Sequence, residues 1–127
     1  TLTTLKLWGR ILENVKAESA SRFVWSKISR NDFLETGAAE TETTGVIDEL
    51  LKSAPEIDFA LLLSEHPDGL HGSLRSVATG VDVCQIARLF GGGGHEAAAA
   101  FQIYGATLTE KEEEILAKIR EYQQHRM

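Results

Sequence analysis

The chain has 127 residues with a single cysteine, 43% of it is apolar, and its formal net charge is −6. These values fit one globular domain of a reducing compartment, and they exclude a disordered chain and a disulfide-stapled one. The acidic balance also argues against salt-driven binding to long duplex nucleic acid, but not against a short oligonucleotide or a mononucleotide held in one pocket.

The first half of the chain is predicted to alternate short helices with strands. Apolar residues at helical spacing predict a helix over residues 2–18, with Leu5, Trp8, Leu12 and Val15 on its inner face. The elements that follow are a strand over 22–29, a short helix capped by Ser29 with Asp32, a loop over 37–44, a helix over 46–53 ended by Pro55, and an apolar strand over 57–63.

The second half is predicted to contain a hairpin, two helices and a further strand. The turn signal over 66–69 (HPDG) joins strand 57–63 to a return strand over 70–77. The remaining elements are a helix capped by Asp82 with Gln85, which ends at Gly91, then a strand over 98–104, and a last helix that starts at Thr109 with Glu112 as its capping partner. Together these elements predict a single α/β domain with a mixed β-sheet and helices packed on it.

Four consecutive glycines, Gly91 to Gly94, lead directly into His95. Glycine is the residue that costs most to order, so such a run needs a reason beyond ordinary packing. Successive backbone amides that point at one spot form a nest for an anion. We therefore expect a glycine-rich phosphate-binding loop, formed by Gly92, Gly93 and Gly94, with His95 as a second donor beside it.

A polar stripe on the return strand supports this expectation. Alternation places His71, Ser73 and Arg75 on one face of the strand, and Leu70 and Leu74 on the other. A planar guanidinium suits bidentate contact with a phosphate or carboxylate. Because arginine is mostly exposed in proteins, a solvated surface arginine is the plain alternative.

Other motifs with related chemistry do not fit the chain. A P-loop requires lysine and serine or threonine after its glycines, where this chain has His95 and Glu96. A dinucleotide fingerprint requires a strand before the glycines, and here a helix precedes them. Metal binding by His66, His71 and His95 lacks a supporting carboxylate or cysteine spacing, so we predict no metal ligand in this chain. We expect Cys84 and the alanines at 97–100 to serve packing.

Taken together, these motifs resemble the DHH-associated domain, type one, which is the C-terminal, substrate-binding half of DHH-family phosphoesterases. The resemblance extends over residues 8–105, and the matching segments are Ser73–Ser76, Val83–Phe90, and Gly91–His95 with the alanines after it. Matches at Gly9-Arg10, Glu35–Gly37 and Ile47–Leu50 make the chain similar to the nanoRNase/pAp-phosphatase subgroup.

The resemblance implies one substrate-binding domain over residues 1–127, with helix 2–18 connecting it to an N-terminal catalytic domain that this chain lacks. In the family that catalytic domain carries an Asp-His-His motif and binds two manganese ions, which clamp the attacking water and the leaving oxygen. The chain itself would then hold no cofactor and no catalytic residue, and would be inactive alone. We expect a cytoplasmic protein. Because the chain starts at Thr1 rather than at methionine, either something was removed or the chain is a piece of a longer protein, and the resemblance implies a piece.

The resemblance also assigns the site and the ligand. Arg75 and the loop 92–95 would hold a substrate phosphate, and Ser73 and His71 would line the groove, with His71 where relatives often have lysine. The ligand would be a nucleotide or a very short single-stranded RNA or DNA, as for an oligoribonuclease or a pAp phosphatase; a homodimer is left open. Glu96 and Ala100 depart from the family pattern, which bears on affinity.

Two further interpretations are open at this point. The same fold could serve a cyclic-dinucleotide phosphodiesterase, a single-strand exonuclease or an exopolyphosphatase-related protein. It could also act without catalysis, as a stand-alone nucleic-acid-binding or interaction module like those appended to some tRNA synthetases.

Overall fold

Six strands form one sheet in the order β1-β2-β3-β4-β6-β5 in the computed structural model, which describes residues 1–53, 56–77 and 81–126. The elements are α1 (Leu2–Glu13), β1 (Lys16–Glu18), β2 (Phe23–Ile28), α2 (Arg30–Thr36), α3 (Val46–Lys52), β3 (Phe59–His66), β4 (Gly69–Ser76), α4 (Val83–Arg88), β5 (Gly93–Gly94), β6 (Ala98–Tyr104) and α5 (Leu108–Arg126). Single 3₁₀ turns occupy Ser19–Ser21 and Glu40–Thr43.

The sheet is mixed, as predicted. β2 and β3 run parallel, joined by a crossover through α2 and α3, whereas the other neighbouring strands are antiparallel. The hairpin β3–β4 turns at 66–69, where the sequence predicted it, because proline and glycine supply the dihedrals of a tight turn. The result is the predicted α/β fold, with helices on both faces of the sheet.

One apolar layer packs on each face of the sheet. On one face, α1, α2 and α3 pack on β2 and β3. On the other face, α4 and α5 pack on β2, β3, β4 and β6, and Cys84 lies buried there as expected. Within the described residues, no helix is long and apolar enough to span a membrane.

The first helix is shorter than predicted. It ends at Glu13 instead of residue 18, and the side-chain amide of Asn14 donates to the carbonyl of Arg10 at 2.9 Å. Residues Lys16–Glu18 form the edge strand β1, which pairs antiparallel with β2. The predicted helix was therefore wrong over its last turn, because backbone pairing with β2 outweighs the local helical pattern.

The inner face of α1 also differs from the prediction. Leu7 and Ile11 are fully buried, whereas Leu5, Leu12 and Val15 are exposed; of the four residues predicted to face inward, Trp8 packs against the core and is partly buried. The helix has apolar residues on two sides, so its periodicity alone did not determine which side packs on β2.

Capping confirms some predicted helix starts and shifts others. Ser29 and Asp32 form the predicted capping box of α2. Asp82 caps α4 as predicted, although its carboxylate accepts from the amide of Cys84 and no box with Gln85 forms. The last helix begins at Leu108, one residue before the predicted start at Thr109. Its box is formed by Thr107 and Glu110 and not by Thr109 and Glu112. Pro55, the predicted end of α3, lies outside the described residues.

Candidate phosphate-binding face

One part of the sheet surface is left uncovered by the helices. The α1–α3 layer packs mainly on β2 and β3. Helix α3 also approaches β4, but within the described chain the buried cluster of this layer includes no residue of β4 or β6. The register pairs Arg75 with Ala98, Ser73 with Ala100 and His71 with Gln102, and none of these side chains is buried. We call this surface the open face; its residues are His71, Ser73, Arg75, Gly93, Ala98, Ala100 and Gln102.

The opposite side of β4 and β6 explains why this alternation arises. Leu70 and Leu74 of β4 are fully buried beneath α4 and α5, together with Phe101 of β6. Gly72 faces the ring of Phe101, since a Cβ at this glycine would lie 2.2 Å from the ring. The apolar side thus fixes the register and turns the polar stripe outward, as the alternation predicted.

Arg75 is half-buried on the open face and has no acidic partner. Its Nη1 donates to the carbonyl of Leu74 at 3.1 Å, and no carboxylate of the described residues forms an ion pair with its guanidinium. Most of the five guanidinium donors are therefore available to a ligand. A partly buried, unpaired cation beside small side chains is chemically suited to an anion.

The amides of the glycine loop are less available than the sequence suggested. Gly91 N–H donates to the carbonyl of Arg88 at 3.2 Å, Gly92 N–H to Ala87 at 2.9 Å and His95 N–H to Ala98 at 2.7 Å. The expectation of a nest of free amides is wrong for these three groups, because the loop closes α4 and then forms a strand. Hydrogen bonding alternates along β5, so the Gly94 N–H points away from β6, at the edge of the sheet.

Three of the four glycines have a structural reason. Gly91 has a φ of +78° just after α4, and Gly94 has a φ of +144°, both in the region that favours glycine. A Cβ at Gly92 would lie 2.2 Å from the carbonyl oxygen of Ala100. Gly93 differs: its φ is not positive, and a Cβ there would meet nothing within 4 Å. The missing side chain of Gly93 therefore leaves space on the open face that the fold does not need.

His95 is exposed at the end of the loop, next to the Arg75 end of the open face. Its backbone pairs with Ala98, the register partner of Arg75, and its ring has no hydrogen bond among the described residues. The carbonyl of Glu96 accepts from Val83 N–H at 2.9 Å, which ties the loop to the start of α4. The imidazole is thus exposed and unconstrained on a loop that is anchored at both ends.

At the other end of the open face, the rings of His66 and His71 stack with their centroids 3.9 Å apart. Nε2 of His71 lies 3.0 Å from Oδ1 of Asp68, and this hydrogen bond lowers the pKa of the Asp68 carboxyl. The sequence grouped these two histidines with His95, which lies instead at the far end of β6. The sequence pattern marked Asp68 only as a turn residue and gave no sign of its contact with His71.

A separate cleft of about 520 Å³ lies near the starts of α2 and α5. Its lining includes Asp32, Glu65, Glu112 and Glu113, with Lys27 as its one basic side chain. This acidic lining disfavours an anion, and none of the predicted phosphate-binding residues contributes to it. The open face is the better candidate for a phosphate.

Solved structures with the same fold belong to longer proteins. An exopolyphosphatase-related protein from Bacteroides fragilis has a TM-score of 0.86 and 23% identity, with 97% of this chain and 36% of that chain covered. The pGpG-specific phosphodiesterase PggH from Vibrio cholerae has a TM-score of 0.62 and 12% identity, with 97% and 39% covered. RecJ from Thermus thermophilus, in complex with Mn²⁺, has a TM-score of 0.62 and 15% identity, with 97% and 17% covered.

This chain therefore spans less than half the length of each of these three proteins. At such identities the similarity shows the fold alone. A comparison with curated protein sequences gives no match. The sequence model of the DHHA1 domain, by contrast, matches residues 22–125, which include the hairpin, the glycine loop and most of α5. The chain thus belongs to the DHHA1 domain family, the DHH-associated domain of type one.

Proposed function

We propose that this chain is the nucleotide- or short-oligonucleotide-binding domain of a metal-dependent DHH-family phosphoesterase. The observation that carries the proposal is Arg75, a half-buried guanidinium without an acidic partner among the described residues, whose neighbours on the open face are the small residues Ser73, Ala98 and Ala100. Membership of the DHHA1 family supports the same assignment.

Each part of the open face has a role in this proposal. Arg75 would make a bidentate contact with a phosphate, and the Ser73 hydroxyl would donate to the same or the next phosphate oxygen. Because Gly93, Ala98 and Ala100 have no side chain or only a methyl group, a sugar or base can lie close to the backbone there. His95 would close over the phosphate from the loop. Anion affinity then comes mainly from side chains, since most of the loop amides already have partners.

The size of the open face favours a short ligand. Four residues along β4 separate His71 from Arg75, a distance of about 13 Å at the rise of a strand. A face of that length suits a mononucleotide or a dinucleotide, which includes pAp and the end of a very short RNA. The cyclic-dinucleotide alternative fits the same length and is the second candidate. The neighbour PggH is named as specific for pGpG, a linear dinucleotide, so the fold similarity supports the dinucleotide length and not a cyclic ligand.

The catalytic step is assigned to a separate domain. A catalytic DHH domain with two manganese ions would cut the phosphoester while this chain grips the nucleotide, and α1 would be the connection between them. The purified chain should therefore show no manganese-dependent hydrolysis of pAp or of a dinucleotide. Turnover by the chain alone would contradict this division of labour.

Binding of a fluorescent dinucleotide, followed by anisotropy, tests the proposal. Arg75→Ala should weaken the Kd about 10- to 150-fold, because a hydrogen bond to a charged group contributes about 1.5–3 kcal/mol. Arg30→Ala is the matched control, since it removes the same charge from a position off the open face, and it should bind like the parent chain. Equal affinity of the parent chain and Arg75→Ala would refute the assignment.

A further inference from the structure

Three side chains with metal-ligand chemistry converge at the β3–β4 turn. His66 ends β3, Asp68 lies in the turn and His71 follows in β4. Each of them offers one ligand atom, and these atoms lie within 4.8 Å of one another. We propose that His66, Asp68 and His71 bind a late first-row divalent cation, with Zn²⁺ as the reference ion.

The donor set matches this class of metal. Two imidazole nitrogens and one carboxylate oxygen are ligands of zinc, and three protein ligands leave a fourth position for water or a ligand oxygen. Metal–ligand distances of about 2.0–2.1 Å place neighbouring donors of a tetrahedral site about 3.3 Å apart. Nε2 of His71 and Oδ1 of Asp68 are already 3.0 Å apart, whereas the His66 ring is stacked on that of His71 and has to turn before both rings can ligate one ion.

Outer contacts hold these groups in the orientation that a metal requires. Oε2 of Glu40 lies 3.3 Å from Nδ1 of His66, and Nε2 of that ring lies 3.1 Å from the Ser64 hydroxyl, a contact that a metal ion would replace. The side-chain amide of Gln102 donates to Oδ2 of Asp68 at 2.8 Å and fixes the carboxylate. A carboxylate behind a ligating histidine and a hydrogen bond to a ligating carboxylate are the usual outer shell of a protein metal site.

The charge state and exposure of the histidines favour a cation as well. Burial, and then the neighbouring His71, lower the pKa of His66. The side chain of His66 is 12% exposed and that of His71 is 30% exposed, whereas Asp68 is more than half exposed. An ion can therefore enter from solvent past Asp68 and meet a more buried imidazole behind it.

The metal site shares His71 with the open face, but its other two ligands lie outside that face. Arg75 lies four residues further along β4, at the opposite end of the open face. Metal binding requires neither a nucleotide nor a catalytic domain, so it can be tested whether or not the proposed function holds.

The test is calorimetric titration of the tag-free, metal-stripped chain with ZnCl₂, together with the visible absorption of added Co²⁺ as a readout of tetrahedral ligation. We expect one ion per chain. His71→Ala and Asp68→Asn should each weaken the Kd at least tenfold, because even outer-shell partners contribute about 10- to 100-fold. His125→Ala removes an exposed histidine elsewhere and should leave the affinity unchanged.

Two results would overturn the proposal. One is a parent chain that binds no Zn²⁺ at micromolar concentration. The other is a pair of variants, His71→Ala and Asp68→Asn, that bind as tightly as the parent chain. Circular dichroism of each variant confirms that it is folded. Since neither residue is buried, both variants should fold. If only one of them folds, the Zn²⁺ affinity of that variant decides the matter.

Discussion

Two adjacent glycines separate the structural role of the loop from its proposed binding role. A Cβ at Gly92 would lie 2.2 Å from the carbonyl oxygen of Ala100 and 2.6 Å from Cβ of Phe101, which no side-chain rotation relieves. A Cβ at Gly93 would meet no atom within 4 Å. The same substitution, glycine to alanine, therefore probes the interior at one position and the open face at the next.

The two substitutions should have different effects on stability and on nucleotide binding. Gly92→Ala should destabilise the fold by at least about 1–3 kcal/mol, as overpacking does. At about 3–6 °C per kcal/mol for a domain of this size, its Tm should fall by several degrees. Gly93→Ala should keep the stability or gain up to about 1 kcal/mol, because alanine restricts the unfolded chain. Its added methyl group should weaken nucleotide binding by about 1–3 kcal/mol, or 5- to 150-fold.

Thermal unfolding by circular dichroism and dinucleotide binding by anisotropy measure the two effects on the same samples. If Gly93→Ala binds the dinucleotide as tightly as the parent chain, the ligand does not approach the backbone there, and the role given to the open face is wrong. If Gly92→Ala is as stable as the parent chain, the packing explanation for the loop is wrong.

Three further predictions concern carboxylates away from the open face. Glu65→Ala should cost about 1–4 kcal/mol in chemical denaturation, because its two oxygens accept the first amides of α2 and α5 at 2.9 and 2.8 Å; wild-type stability would contradict this. Burial alone would raise the pKa of the Asp58 carboxyl, but hydrogen bonds, first of all that from Arg22, hold this pKa below its ordinary value. This stabilisation is present above the unfolded pKa near 4 and is lost as the pH falls through the lower folded pKa. Asp58→Asn should therefore reduce the loss of unfolding free energy between neutral and acid pH, and an unchanged pH dependence would refute this explanation. Threonine hydroxyls at the start of α1, Thr4 foremost, and one backbone amide lower the pKa of Glu42 to about 2; an NMR titration midpoint near 4 would disagree.

Local chemistry made the hairpin and the open face predictable. The turn residues at 66–69 and the alternation of β4 depend on dihedral preference and on side-chain period, and both can be read from neighbouring residues. The same holds for the capping box of Ser29 in α2. Those parts of the fold needed no information about distant segments.

Long-range pairing made other parts unpredictable. Lys16–Glu18 adopt a strand because β2 offers them a free edge, which the helical pattern of α1 does not reveal. The sequence located the glycine loop, but not the pairing of Gly93 and Gly94 with β6 that shapes it. Asp68 was missed as a partner of the histidines because a turn residue and a possible metal ligand look alike until the strands pair.

The most direct test of the central claim is a crystal structure of this chain with pAp or a dinucleotide bound. The account predicts a phosphate within hydrogen-bond distance of the Arg75 guanidinium, with the sugar or base lying over Gly93 and Ala100. A ligand bound elsewhere, with Arg75 still turned to the carbonyl of Leu74, would contradict it.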